Sequence, residues 1–234
     1  MRFAFDRQRR VVTPALELVR RRGGESWGVR AMTLAIGPGE GVALLGAGGS
    51  GKTTLLRLLA GVFGPDEGSV LVEGRVAALL STDAGLVPVL TGAENTELLG
   101  VLYGRTLREM KDRLGALREA SRLGEVFDRP VSTYSQGMRA RLGLLIAEES
   151  DPEIVLLDEV HEVLDHAHRG LLERHARAIR AAGGIVVAAG HDHPLLASLA
   201  TRAVWLEAGR LRADGPFEEV RNAYLAASSP ASVS

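Results

Sequence analysis

Short apolar runs punctuate the chain at residues 42–45, 76–80, 154–157 and 185–189, each bounded by Gly, Asp or Pro. They are too short for helices and too continuous for strands with one wet face, so they predict strands buried on both faces. Between them, apolar spacing predicts helices over 53–60, 106–123, 135–149 and 169–182. Strands that alternate with helices make a parallel sheet in an α/β domain. Residues 15–19, 30–36, 69–72 and 204–211 have a different texture, with turn residues such as Glu73-Gly74 and Ala208-Gly209 set between apolar stretches. These predict hairpins and an antiparallel portion beside the parallel core. Residues 86–150 carry no strand pattern and read as a helical subdomain inserted into the sheet order. A Ser/Ala/Pro tail from Ala226 to residue 234 is expected to fray.

Composition changes this picture mainly by exclusion. The 234 residues suit a single domain, 1–234, and 46% apolar content supplies a full core. A net charge of −1 gives no whole-chain field for holding nucleic acid, so no nucleic-acid partner is expected. Zero Cys removes disulfides, thiolate metal sites and thiol nucleophiles, and fits a cytoplasmic setting. No apolar run approaches the roughly 18 residues that would span a bilayer. The N-terminus lacks a signal-peptide core, so any membrane role is expected to come through a partner. Of 28 basic residues only Lys52 and Lys111 are lysines. A lysine in so Arg-biased a chain asks for a reason.

Lys52 has one. The segment Gly46-Ala47-Gly48-Gly49-Ser50-Gly51-Lys52-Thr53-Thr54 follows an apolar run and opens a helical pattern. This is the strand, Gly-rich loop and helix setting of a phosphate-binding P-loop. Glycines let backbone N–H groups curl around phosphate oxygens, and the helix start adds its positive end. Lys52 supplies a compact charge for the β and γ phosphates, and the Thr53 hydroxyl suits Mg²⁺. Downstream, the run 154–157 ends in Asp158-Glu159, which puts two carboxylates at the ligand-binding edge of a parallel sheet. Asp158 is the candidate for the Mg²⁺ shell, and Glu159 for the general base that activates water.

Between these motifs stands Tyr134-Ser135-Gln136-Gly137-Met138, about twenty residues before Asp158. With it the chain resembles the ATP-binding cassette (ABC) ATPases. The resemblance implies a P-loop NTPase fold, with a RecA-like parallel core, an antiparallel β subdomain and an inserted helical subdomain. It implies ATP and Mg²⁺ as ligands and a head-to-tail homodimer on nucleotide binding. In that dimer Ser135, Gln136 and Gly137 would complete the site of the other copy. Asp165 falls at the family's D-loop, His191 at its switch histidine, and Trp27 at the aromatic that stacks on adenine. The family's usual Gln after the first hairpin is missing from residues 77–85, where Ser81 or Asp83 could substitute.

Several segments, among them 74–80, 90–95 and 202–210, resemble ATPases of the exporters for O-antigen, capsular polysaccharide and teichoic acid. This implies an ATP-hydrolysing subunit that works on a separate integral-membrane permease, peripheral on the inner face of the cell membrane. Residues 86–104 are then the expected docking surface. Two other readings stay open: a cassette that exports drugs, peptides or lipids, and a nucleotide-switched dimerising module with weak hydrolysis. Three further features carry less. Seven arginines within the first 22 residues fit a solvated basic edge better than a lipid-binding patch. His161, His166 and His168, with Glu162 and Asp165, match no closed zinc pattern. His193 is expected in solvent or beside His191.

Overall fold

The computed structural model describes residues 28–80, 85–159, 164 and 166–228. Among the described residues six strands form one sheet: β1 (Gly41–Leu45), β2 (Val76–Leu79), β3 (Ile154–Asp158), β4 (Ile185–Ala189), β5 (Arg202–Glu207) and β6 (Arg210–Pro216). Their order is β2-β3-β4-β1-β5-β6. The first five run parallel, and β6 returns antiparallel to β5. The apolar runs become strands because both faces are covered. Ala43 and Leu45 enter one core with Leu157, Leu172 and Leu196. Their neighbours Val42 and Leu44 enter a second core, across the sheet, with Leu56, Leu156 and Val187. A period of two with apolar residues on both faces gives the unbroken hydrophobic run read from the sequence.

The helices are α1 (Lys52–Leu59), α2 (Gly92–Leu102), α3 (Leu107–Ser121), α4 (Gln136–Glu149), α5 (His166–Ala181), α6 (His193–Leu199) and α7 (Phe217–Ser228). Between β2 and β3 the described residues form α2, α3, two short 3₁₀ turns and α4, around their own core of Phe127, Tyr134, Leu142 and Ile146. Thr91 and Thr106 start α2 and α3 with complete capping boxes, each accepting from the amide of the Glu three residues on. The Asn95 side chain fixes the approach to α2. It accepts from the Val87 amide at 2.7 Å and donates to the carbonyls of Val87, Leu90 and Thr91.

Two expectations need correcting. Residues 30–36 and 69–72 form no strands, so among the described residues the antiparallel part of the sheet is the β5–β6 hairpin. Their apolar side chains are used differently: Leu34 is buried, and Met32, Ile36, Val70 and Val72 lie against the second core. Residues 15–19, also expected as a strand, lie outside the described residues. The tail from Ala226 begins later than expected, because α7 continues through Ser228. Among the described residues no helix is long and apolar enough to cross a membrane.

Candidate functional site

β1 delivers the chain into the glycine loop, and the loop is held from outside. Gly46 (φ +145°) and Gly51 (φ +108°) have backbone conformations that favour glycine. A Cβ on either would lie 2.3 Å from a carbonyl oxygen, of Leu206 and Gly28 respectively. The inner glycines differ: a Cβ on Gly48 or Gly49 would meet nothing within 4 Å. The loop is therefore braced on one side and open on the other. The Ser50 carbonyl accepts from the Gly209 amide at 3.0 Å, and the Gly209 carbonyl accepts from the Arg30 amide at 2.6 Å. The β5–β6 turn thus clamps the P-loop.

Lys52 is buried, and its Nζ donates to the carbonyls of Gly46 at 2.6 Å and Ala47 at 3.1 Å. α1 starts on Gly51 with no side-chain cap and no acidic residue in its first turn. The uncapped amide end of a helix, an ammonium group and an open glycine cradle together fit a polyphosphate. The Ser50 hydroxyl is buried without a hydrogen-bond partner, a second polar group directed into this loop.

β4 separates β1 from β3, and at its C-terminal edge the remaining groups converge. Asp158 ends β3 in a buried position. Burial pushes its carboxyl above the usual carboxylate range, and a hydrogen bond with Thr53 partly opposes that shift. A hydroxyl and a carboxylate side by side are hard oxygen donors of the kind Mg²⁺ takes. Glu159 follows in the left-handed region, at φ +59°, with its amide donating to the Ala189 carbonyl at 2.9 Å. That bend turns the side chain away from the sheet, leaving it half exposed, with Oε1 3.5 Å from Nε2 of His191. A strained backbone at a charged residue on a sheet edge is characteristic of functional sites.

The signature residues stand apart from this cluster. Ser135 caps α4, accepting from the Met138 amide at 3.2 Å, and its carbonyl accepts from the Arg139 amide at 3.0 Å. Both bonds are local to the helix start, and Ser135 and Gln136 remain exposed. Within one chain the P-loop, Asp158, Glu159 and His191 share a sheet edge, whereas Ser135 to Gly137 face outward from the helical region. Trp27, Ser81, Asp83, His161 and Asp165 lie outside the described residues. Gly28, next to Trp27, packs on Thr54, whose Cγ2 would be 2.6 Å from an added Cβ. His193 packs edge-on against Tyr224 at 5.9 Å, and burial lowers its pKa. Among the described residues no group of three metal-capable side chains forms.

Two functional features escaped the sequence reading. The Ala208-Gly209 turn was expected as a hairpin, but nothing in the sequence signals its grip on Ser50. Arg169 and Asp192 are 23 residues apart, yet Arg169 Nη1 lies 2.7 Å from Asp192 Oδ2, beside His191. The Asp-His-Pro order at 192–194 was the available signal for a capped helix start.

A family model described as ABC transporter matches residues 29–162. The O-antigen export system ATP-binding protein RfbB of Klebsiella pneumoniae is 36% identical over 87% of this chain and 82% of its own length. The teichoic acids export ATP-binding protein TagH of Listeria monocytogenes serotype 4b is 31% identical over 85% of this chain and 59% of its own length. Among solved structures, a dimeric ATP-binding cassette in a post-hydrolysis state, bound to ADP and Pi, shares the fold. Its TM-score is 0.70 at 22% identity, covering 84% of this chain and 94% of that one.

Proposed function

The chain belongs to the ABC transporter family of ATPases, and from that premise we propose that it is the ATP-hydrolysing subunit of an exporter for a lipid-linked polysaccharide or similar glycoconjugate. The observation that carries the hydrolytic part is the meeting of Glu159 and His191, 3.5 Å apart, at the sheet edge that also holds Lys52, Thr53 and Asp158.

ATP binds with its phosphates in the cradle of residues 46–51, facing loop amides and the Lys52 ammonium. Thr53 and Asp158 would hold Mg²⁺, which when bound offsets negative charge on the β and γ phosphate oxygens. Glu159 accepts a proton from the attacking water as its oxygen bonds to the γ-phosphorus. The bond from that phosphorus to the bridging oxygen breaks, and ADP and inorganic phosphate leave. His191 orients Glu159 and contributes hydrogen bonding at the γ-phosphate. Ser135, exposed on one copy, and the half-buried Gly137 with its amide complete the site of a second copy in a head-to-tail homodimer.

The cargo assignment is supported by the names of the relatives, which cite export of O-antigen and of teichoic acids. Transport then requires a separate integral-membrane permease, with this chain peripheral on the inner membrane face. Val89, Leu98, Val101 and Leu102, exposed at and near α2, are the surface offered to that permease.

Glu159→Gln tests the hydrolytic reading. It should leave ATP affinity within about twofold, lower turnover by at least roughly a hundredfold, and trap a nucleotide-bound dimer on size exclusion. Unchanged turnover would remove Glu159 from the base role. For the exporter, affinity-tagged protein extracted gently from its own membranes should bring down a polytopic permease. Recovery of soluble proteins alone contradicts that part.

A further inference from the structure

Arg169, in the first turn of α5, serves two acceptors at once. Its Nε donates to the carbonyl of Leu164 at 3.0 Å, and its Nη1 to Oδ2 of Asp192 at 2.7 Å. Leu164 is a buried residue five positions after Glu159, and Asp192 directly follows His191. One guanidinium therefore joins the segment after the carboxylate pair to the segment bearing the histidine.

Asp192 is fixed at both oxygens. Its Oδ1 accepts from the Leu195 amide at 3.1 Å and caps α6, leaving Oδ2 for Arg169. The turn is tight, because the His191 carbonyl accepts from the His193 amide at 3.0 Å. Holding Asp192 thus sets the backbone from which the His191 imidazole reaches Glu159. The anchors beneath are firm: Leu172 and Ala176 of α5 share a core with Leu195, Leu196 and Leu199 of α6. The Arg169 and Asp192 side chains are both about two-thirds buried, at 32% and 27% exposure, so solvent screens the pair only in part. Arginine suits this link because its Nε and Nη1 are held apart in a rigid planar fork, so each acceptor meets its own nitrogen, whereas a lysine would have to bring both acceptors to one ammonium.

We propose that Arg169 is a positioning residue for hydrolysis, holding His191 against Glu159 through Asp192 and tying that placement to the backbone at Leu164. This rests on the reading of Glu159 and His191 as the hydrolytic pair. It assigns Arg169 no contact with ATP.

The test compares Arg169→Ala, Asp192→Asn and the double variant in the full chain, with kcat and the KM for ATP determined separately. Asn caps a helix as well as Asp does, so Asp192→Asn removes the ion pair and leaves the start of α6 in place. Each single variant should lower kcat roughly tenfold or more, the scale set by a small misplacement of catalytic groups, with KM for ATP changed less than about twofold. The double variant should fall no lower than the weaker single one, because both changes break one link. Should Arg169→Ala not fold, Arg169→Lys keeps the charge, loses the fork and carries the same comparison. A kcat equal to wild type, a raised KM at constant kcat, or a double variant that loses the product of the two single effects overturns the inference. Glu159→Gln, run alongside, separates the two claims. Wild-type turnover that disappears in Glu159→Gln but survives Arg169→Ala unchanged overturns only the role of Arg169. Absence of any Glu159-dependent turnover in the wild type overturns both.

Discussion

The helical region between β2 and β3 and the proposed catalytic edge of the sheet follow opposite rules. In the helical region most local chemistry is satisfied, with Arg122, which ends α3 in a left-handed conformation at φ +52°, as an exception. Two capping boxes start α2 and α3, Asn95 uses its whole amide, and Arg118 pairs with both carboxylate oxygens of Asp128. At the catalytic edge the opposite holds. Glu159 has a left-handed backbone, Asp158 is an acid whose burial disfavours its charge, and the Ser50 hydroxyl is buried without a partner. Residues that stabilise the fold sit where propensity puts them. Residues proposed to act on phosphate are held in place against it, and the surrounding packing overcomes the cost.

Substitutions can sharpen this contrast. The largest effect is expected in the loop itself. Gly46→Ala places a methyl 2.3 Å from the Leu206 carbonyl in a backbone conformation hostile to alanine, and should cost about 3 kcal/mol in chemical denaturation. Gly48→Ala meets nothing, so it should leave the melting temperature unchanged while weakening ATP binding, because its methyl enters the phosphate cradle. Equal stability losses from the two would show that the open and braced sides of the loop are not distinct.

In the helical region Thr106→Ala removes a cap and should cost about 1 kcal/mol with ATP turnover unaffected. At the catalytic edge the signs reverse. Glu159→Gly relieves a left-handed conformation and should stabilise the chain by up to about 1 kcal/mol while abolishing hydrolysis. A destabilised Glu159→Gly variant would mean that the strain is not real.

The smallest effect lies where the two regions join. Glu148 of α4 meets His175 of α5, and burial raises its pKa from 4.5. The folded chain thus keeps the proton to higher pH than the unfolded chain. The stabilising contribution of Glu148 is therefore full below 4.5 and lost as pH rises through the raised value. Glu148→Gln lacks this slope. Its melting temperature relative to wild type should climb across that window and then level, by an amount equivalent to less than about 1 kcal/mol.

The same contrast explains what the sequence made legible. The four buried strands and the glycine loop were readable because continuous apolar runs and a fixed spacing around Lys52 are local signals. Residues 30–36 and 69–72 misled because their apolar residues serve the face of the sheet without joining its ladder, and composition does not distinguish the two uses. The left-handed turn at Glu159 has no signal, since nothing about a glutamate forecasts a positive φ. The links from Gly209 to Ser50 and from Arg169 to Asp192 join residues distant in sequence, and appear only once the sheet order is known.

The central claim is that ATP is hydrolysed at a site built from the P-loop of one copy and the Ser135–Gly137 segment of another. Mixing two inactive variants, Lys52→Ala and Gly137→Asp, tests it directly. A head-to-tail dimer of one of each retains one intact site, so turnover should reappear on mixing, up to about a quarter of wild type. Turnover that stays at the level of the separate variants would contradict a shared site.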